Sequence, residues 1–232
     1  MRGNTALIAR AGAVATAAGL AGLLLFPVAA SAGPGVKLKG VFGIAAGQCT
    51  ASAGVTSGSY FRMIEPGTPT TYLANSSSPC GDQTYTPLAP GTSGGLSTTG
   101  FQPNPSPEFD SSGNGLANLI TQPAEFVGVY FAESTNPTDP QTGTAVKKPK
   151  IIDTNGVLSG NLAGWSVGWN NLNFNQGAPK PTGAAGTTTG PTGTYNSKTG
   201  AYTLTWTSEI SGGPFNDFTG EWYLTGKFKA AS

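Results

Sequence analysis

The segment that decides the fold lies near the C-terminus and consists of Ala201-Tyr-Thr-Leu-Thr-Trp-Thr-Ser-Glu209 and, after a loop, Glu221-Trp-Tyr-Leu-Thr-Gly-Lys-Phe-Lys229. Large apolar side chains share one parity within each run: Tyr202, Leu204 and Trp206, then Trp222, Leu224 and Phe228. Threonine, glutamate and lysine fill most positions of the other parity. Because successive side chains of a strand point to opposite faces, this alternation predicts two half-buried antiparallel strands with both tryptophans in the core.

The loop between these runs, residues 211–220, carries Phe215 and Phe218 between glycines. Large aromatic side chains bury much apolar surface when they find a place in a core. We therefore expect both rings to fold back over the end of the β-structure as a plug, and we expect any function to lie elsewhere.

The first 32 residues have the pattern of a secretory signal peptide. Arg2 and Arg10 make the start basic, residues 11–28 are apolar, and Ala30-Ser-Ala32 fits the small-x-small cleavage pattern. We predict cleavage after Ala32, with a retained membrane anchor as the alternative. Residues 33–232 are then a single secreted β domain in the extracellular space, with no membrane partner after cleavage.

The charge of the mature chain is close to balanced. Cleavage would reduce the 12 basic residues to ten, against 11 acidic residues. This balance gives no electrostatic basis for binding nucleic acid. Glycine and proline are frequent, at 35 and 18 residues, yet aromatic residues make up 9% of the chain. We interpret this composition as many tight turns around a core rather than as disorder.

Cys49 and Cys80 are the two cysteines of the chain. In an oxidising compartment, an even pair predicts one disulfide bond. A thiol nucleophile is the alternative, but the chain contains no histidine to activate it.

Other segments carry further secondary-structure signals. Alternation predicts strands at 36–44 and 60–64, and the apolar run 125–133 is typical of a central strand. Residues 65–115 are proline-rich and aperiodic, which favours an ordered Ω-like excursion tied by Cys80 over a functional loop. The helical pattern of the mature chain falls at 114–122.

The segment 165–176 changes its apolar parity near Gly168 or Asn170, which predicts a β-bulge. Residues 153–156 predict a turn, and 178–192 predict a flexible or extended linker. Together these signals predict an all-β domain, an antiparallel sandwich or jelly-roll-like barrel with one short helix and long ordered loops.

The absence of histidine removes Ser-His-Asp and Cys-His catalysis and ordinary zinc or non-haem iron sites. Enzymes without histidine remain possible, chiefly carboxylate-dependent glycoside hydrolases. Two acid pairs are close in sequence, Glu108 with Asp110 and Glu125 with Glu133, but neither forms a specific catalytic motif. We therefore predict no catalytic residues and no cofactor.

Asp110, Ser112 and Asn114 occupy oxygen-ligand positions of a calcium-loop pattern. The twelfth position is Thr121 rather than the bidentate glutamate that such loops use. The favoured interpretation is an Asx-type turn that caps the short helix.

Trp165 and Trp169 share a parity with three asparagines that follow them: Asn171, Asn173 and Asn175. Indole packs on the apolar face of a pyranose and amides pair with its hydroxyl groups, so these five residues are the predicted ligand-binding set. The alternative is that both tryptophans belong to the core. Tyr223 is a second candidate, because it lies on the Thr/Lys face of the last strand.

The order Thr199-Gly-x-Tyr-x-Leu-x-Trp-x-Ser-x-Ile-x-Gly-Gly-Pro-Phe-Asn-x-Phe-Thr-Gly-x-Trp222 resembles exported proteins of unknown function from high-GC Gram-positive bacteria. Trp169-Asn-Asn171, Phe174-Asn-Gln-Gly177 and Lys180-Pro181 belong to the same pattern. The resemblance implies an exported, β-rich protein, and it brings no activity or site residues.

Three functions follow from these observations. The first is a non-catalytic protein of the cell envelope or extracellular space that binds a cell-wall glycan or another surface protein. The second is a purely structural or protein-interaction domain, and the third is a glycoside hydrolase. Solvent exposure of Trp165 and Trp169 separates the first two, because burial of both rings excludes the predicted platform.

Overall fold

The computed structural model describes residues 33–68, 70–182 and 186–232, so the signal peptide predicted at 1–32 lies outside the described residues. Sixteen strands and one 3₁₀ helix, Gly213–Phe215, form in this part of the chain, and none of its helices is long and apolar enough to cross a membrane. The strands are, in chain order, β1 (Val36–Leu38), β2 (Gly40–Ile44), β3 (Gln48–Cys49), β4 (Val55–Ser57), β5 (Tyr60–Ile64), β6 (Thr86–Pro87), β7 (Gly95–Ser97), β8 (Ala124–Phe126), β9 (Val129–Thr135), β10 (Lys150–Thr154), β11 (Val157–Asn161), β12 (Trp165–Trp169), β13 (Leu172–Asn175), β14 (Thr189–Tyr195), β15 (Ala201–Glu209) and β16 (Thr219–Ala230).

A large antiparallel sheet runs in the order β1-β10-β11-β14-β15-β16-β2-β7, with β5 and β6 added as a branch. Strand β16 is the branch point, because residues 219–223 pair with β5 and residues 226–230 pair with β2. The opposite edge of β16 pairs with β15 from Ala201 to Glu209. The two antiparallel strands predicted from the C-terminal alternation are confirmed as β15 and β16, and they lie at the centre of this sheet.

A second antiparallel sheet, in the order β13-β12-β9-β8, completes a sandwich-like arrangement. Trp165 of β12 contacts both tryptophans of the large sheet, with ring centroids 5.1 Å from Trp206 and 5.4 Å from Trp222. Trp206 and Trp222 are register partners whose rings stack at 5.8 Å. All three rings are buried. The predicted all-β fold is therefore confirmed, with the two C-terminal tryptophans in its core.

Gln176 accepts hydrogen bonds from the indole groups of Trp206 and Trp222, whereas the Trp165 indole nitrogen has no partner among the described residues. The Trp206 indole N–H donates to the backbone carbonyl of Gln176 at 2.9 Å, and the Trp222 indole N–H donates to its side-chain Oε1 at 3.2 Å. The Gln176 amide in turn donates to the backbone carbonyls of Asn175 and Ser208. Buried polar groups need such partners, so the Phe174-Asn-Gln-Gly177 motif serves the core.

The loop between β15 and β16 closes one end of the core, as predicted. The Phe215 ring lies 5.1 Å from Trp169 and 5.7 Å from Phe126, measured between ring centroids. Phe218 lies 5.9 Å from Phe215 and also packs against the core. Phe215 thereby covers an apolar cavity of about 30 Å³ between the two sheets.

The disulfide between Cys49 and Cys80 is confirmed, with a Cα–Cα distance of 5.3 Å. It ties β3 to the proline-rich segment 65–115, which is ordered in its described part, as expected. This segment supplies β6 and β7 and places Leu88 and Leu96 in the core.

The helix predicted at 114–122 is wrong. The backbone N–H groups of this segment bond to other segments of the protein rather than to residues one helical turn back. Gly115 donates to the carbonyl of Tyr130, and Leu116 donates to the carbonyl of Glu108. Thr121 forms an isolated bridge with Pro90. Two turns of helix have too few internal hydrogen bonds to compete with such pairing.

Two segments that were each predicted as one strand, 125–133 and 165–176, form β-hairpins instead. The run 125–133 is not one central strand, because Val127 and Gly128 have φ of 50° and 79° and form the turn between β8 and β9. The parity change in 165–176 is not a bulge, because Asn170 and Asn171, with φ of 50° and 59°, join β12 to β13. Two consecutive residues with positive φ suit the twist of a two-residue hairpin.

Candidate ligand-binding face

The predicted tryptophan platform is wrong as an exposed surface. Trp165 has no solvent exposure and Trp169 is only 9% exposed. Trp169 donates its indole N–H to the backbone carbonyl of Phe126 at 2.9 Å, beneath the Phe215 plug. Both rings lie between the sheets, because β12 is the inner strand that packs on the tryptophans of the large sheet. A sugar ring cannot stack on either.

The three asparagines of that prediction do not share a surface. Asn171 is exposed in the β12–β13 turn and Asn173 is partly buried, whereas Asn175 is buried. Asn171 lies in the turn, whereas Asn173 and Asn175 lie on β13. Asn175 is part of an internal hydrogen-bonded network that is considered further below.

The calcium-like loop is an Asx turn. Asp110 Oδ1 accepts from the backbone N–H groups of Ser112 and Asn114, and Oδ2 accepts from the Asn114 side chain at 2.9 Å. The Asn114 side-chain bond is the main cause that lowers the pKa of the Asp110 carboxyl. Both carboxylate oxygens are therefore occupied by the loop itself. The favoured interpretation is confirmed, although the turn caps no helix.

The acid pairs do not form an open catalytic pair. Glu133 has no solvent exposure, while Glu125 is partly exposed on the other strand of the β8–β9 hairpin. Glu108 accepts from the Asn104 amide at 2.5 Å, and Asp110 is held in its turn. In the described ranges no three histidine, cysteine, aspartate or glutamate residues cluster as a metal site.

A different set of side chains converges on the outer face of the large sheet. In β5, Phe61 and Met63 enter the core, so Tyr60 and Arg62 point the opposite way. Arg62 pairs in register with Glu221 of β16, and Tyr60 pairs with Tyr223. Tyr72 and Tyr85 approach the same face from the proline-rich segment. We call these six residues the tyrosine face: Tyr60, Arg62, Tyr72, Tyr85, Glu221 and Tyr223.

Stacking contacts hold the tyrosine face together. Tyr60 stacks on Tyr223 with centroids 5.0 Å apart and 15° between the ring planes, and it meets the edge of Tyr85 at 5.0 Å. The Arg62 guanidinium carbon lies 3.2 Å from the centroid of the Tyr72 ring and 4.4 Å from that of Tyr85. These are cation–π distances, so the guanidinium orients two rings that come from separate loops.

Glu221 balances the charge of Arg62. Its Oε1 lies 3.8 Å from the Arg62 guanidinium, and its Oε2 accepts the Tyr72 hydroxyl at 3.1 Å. Burial, followed by the charge of Glu221, raises the pKa of Tyr60 to about 12 and also raises the pKa of Tyr72. Both hydroxyl groups therefore stay protonated at physiological pH, and the face presents neutral hydrogen-bonding groups.

The face continues into a groove along the strands. Ile64 and Thr219 are the next residues on this side of β5 and β16, and they are register partners. They border a groove of about 440 Å³ that is also lined by Glu65, Pro66, Gly67, Thr68, Thr187, Thr189, Thr207 and Asp217. Its accessible surface is mainly apolar, because the hydroxyl groups of Thr187, Thr189 and Thr207 bond to neighbouring threonines and to the backbone. Aromatic rings and an apolar groove thus lie side by side on one surface.

Sequence patterns predicted little of this surface. The parity of the last strand pointed to Tyr223 alone among these tyrosines. The parity of Tyr60 and Arg62 against the core residues Phe61 and Met63 was a usable signal. Tyr72 and Tyr85 lie in aperiodic sequence, so their approach depends on tertiary structure alone.

Comparison of the chain with protein-family models, curated proteins and solved structures gave no match.

Proposed function

We propose that this protein is an exported, non-catalytic domain that binds a neutral glycan on the tyrosine face and its threonine groove. The observation that carries the proposal is the clustering of four partly exposed tyrosines around a charge-balanced Arg62–Glu221 pair. The disulfide between Cys49 and Cys80 supports export, because such bonds persist in oxidising compartments.

The chemistry of the face suits a sugar better than a charged ligand. Aromatic rings and the apolar lining of the groove pack on the C–H faces of pyranoses, and tyrosine hydroxyl groups exchange hydrogen bonds with sugar hydroxyl groups. The charge of Arg62 is already met by Glu221, so the face offers no uncompensated cation for phosphate or nucleic acid. A cell-wall polysaccharide is the neutral, hydroxyl-rich ligand that an exported domain would meet.

Replacing Tyr85 by alanine should weaken glycan binding by about tenfold or more, equivalent to about 1.4 kcal/mol. The substitution removes a ring that contacts both Tyr60 and Arg62. The measurement is co-sedimentation of the mature protein with insoluble cell-wall polysaccharides, followed by titration calorimetry with oligosaccharides released from the one that binds.

Tyr130→Ala is the matched control, because this tyrosine is 44% exposed and lies on β9 of the other sheet. It should bind like the unaltered protein. Equal binding by Tyr85→Ala and Tyr130→Ala would place the ligand elsewhere, and failure of the unaltered protein to bind any polysaccharide would end the proposal.

A further inference from the structure

Asn175, at the end of β13, contacts a lysine on one side and an aspartate from the segment that follows β9 on the other. Lys180 Nζ lies 2.6 Å from the backbone oxygen of Asn175 and 3.5 Å from its side-chain Oδ1. The Asn175 side-chain NH₂ donates to Asp139 Oδ2. Asp139 is 2% exposed and Asn175 is 4% exposed, whereas Lys180 is partly buried, so the carboxyl and carboxamide groups are shielded from bulk water.

The carboxamide of Asn175 is held in one orientation. Its Oδ1 accepts the backbone N–H of Gly177 at 3.1 Å, and its NH₂ donates to the carbonyl of Ala163 at 3.1 Å as well as to Asp139. The backbone N–H of Asn175 donates to Gln141 Oε1 at 2.7 Å. The carbonyl is therefore polarised by an N–H donor at its oxygen, as in an oxyanion hole.

Asp139 is equally fixed. Its Oδ1 accepts three bonds, from the backbone N–H groups of Gln141 and Thr142 and from the Thr142 hydroxyl, at 3.1, 2.8 and 2.9 Å. Its Oδ2 is left to face the Asn175 amide. An acid in contact with the amide nitrogen can deliver a proton to it once the amine is bonded to the same carbon.

Lys180 is prepared as a nucleophile. Burial lowers the pKa of its ammonium to about 8, against the opposing charges of Asp139 and Glu209. A minor fraction of the side chain is then the neutral amine at pH 7, and this fraction rises as the pH approaches 8; the neutral amine is the form that attacks a carbonyl carbon.

We propose that Lys180 and Asn175 join in an intramolecular isopeptide bond, with Asp139 as the proton-transfer group. The Lys180 Nζ lone pair forms a bond to Cγ of Asn175, and the electrons of the carbonyl π bond move to Oδ1, where the Gly177 N–H stabilises them. In the tetrahedral intermediate Nζ and Nδ2 are bonded to the same carbon, and Asp139 Oδ2, which contacts Nδ2, accepts a proton from Nζ and delivers it to Nδ2. The carbonyl then re-forms, the Cγ–Nδ2 bond breaks and ammonia leaves. The reaction needs no oxidant and no co-reactant.

This bond would lock the segment that organises the core. The bond would close a small ring of residues 175–180. Gln176 lies within this ring and accepts hydrogen bonds from the indole N–H groups of Trp206 and Trp222. The inference is independent of the glycan proposal, because none of its residues belongs to the tyrosine face.

The test is the intact mass of the purified, denatured and reduced protein. We expect a mass lower than the sequence mass by one ammonia molecule, and tandem spectra of the peptide that contains residues 175–180 should lack backbone fragments between those residues. Lys180→Arg keeps the positive charge and should restore the full sequence mass. Lys198→Arg, at an exposed lysine, should keep the deficit.

Each result decides the proposal. A full sequence mass for the unaltered protein overturns it. A deficit that persists in Lys180→Arg also overturns it, because a succinimide at Asn175 loses the same ammonia without the lysine. Asp139→Asn should slow or abolish the loss of ammonia, with circular dichroism to check its fold, and a complete deficit in a folded Asp139→Asn protein would remove Asp139 from the mechanism.

Discussion

Replacing Trp222 by alanine should lower the free energy of unfolding by about 3–5 kcal/mol, a large part of the stability of an ordinary domain. The Trp222 ring is fully buried and contacts Phe61, Phe131, Trp165 and Trp206, from both sheets. Its removal leaves a cavity at the centre of the sandwich. It also leaves Gln176 Oε1 without the indole donor that it accepts at 3.2 Å.

Urea unfolding followed by circular dichroism measures this loss, with the disulfide kept oxidised in every sample. Tyr130→Ala serves as the control, because it removes an aromatic ring from a surface position and should change stability by no more than about 0.5 kcal/mol. A loss of similar size in both variants would contradict the central place of the tryptophan cluster.

Replacing Glu133 by glutamine should abolish most of the loss of stability on going from acid to alkaline pH. Glu133 is fully buried, and burial raises the pKa of its carboxyl from 4.5 to about 8, against hydrogen bonds from Thr121 and the backbone that lower it. Its Oε1 has no hydrogen-bond partner among the described residues. The folded protein therefore holds this proton more tightly than the unfolded chain does.

The sign of the effect follows from that difference. The contribution of Glu133 is fully present below pH 4.5 and is lost as the pH rises to about 8. Within this window the slope approaches about 1.4 kcal/mol per pH unit. Between pH 5 and pH 9 the unaltered protein should therefore lose about 4 kcal/mol of stability through Glu133. Glu133→Gln should not show this loss.

Chemical denaturation at a series of pH values from 5 to about 9 measures this slope. Glu65→Gln removes the same charge from the turn after β5 and should leave the alkaline loss in place. If the unaltered protein and Glu133→Gln lose stability in parallel, the buried carboxyl is not its source.

Strands whose apolar and polar residues alternate regularly could be predicted from the sequence. Tyr202, Leu204 and Trp206 alternate strictly with threonine, and β15 has the predicted burial. The predictions failed at two-residue turns that reverse the chain. Val127 adopts a positive φ that β-branched residues rarely take, so Gly128 was the sole sequence signal of the β8–β9 turn. The Asn170-Asn171 pair was a readable turn signal, since asparagine tolerates that conformation.

The candidate site depended still more on tertiary structure. Tyr223 could be placed on an outward face from parity, but Tyr72 and Tyr85 reach that face from loops without periodicity. The burial of Glu133 was equally beyond prediction, because an acidic residue in an apolar run usually marks the solvent side of a strand.

The branch point at β16 also bears on the order in which the protein folds. This last strand pairs with β2 and β5 from the first part of the domain and with β15 beside it. The central sheet therefore lacks its middle strand until the C-terminal residues are available, and the long-range pairing that follows is slow compared with the formation of local hairpins. On the export proposed above, this topology would delay completion of the central sheet until β16 has been translocated, so the preceding part of the chain would stay unfolded enough to pass through a secretion channel.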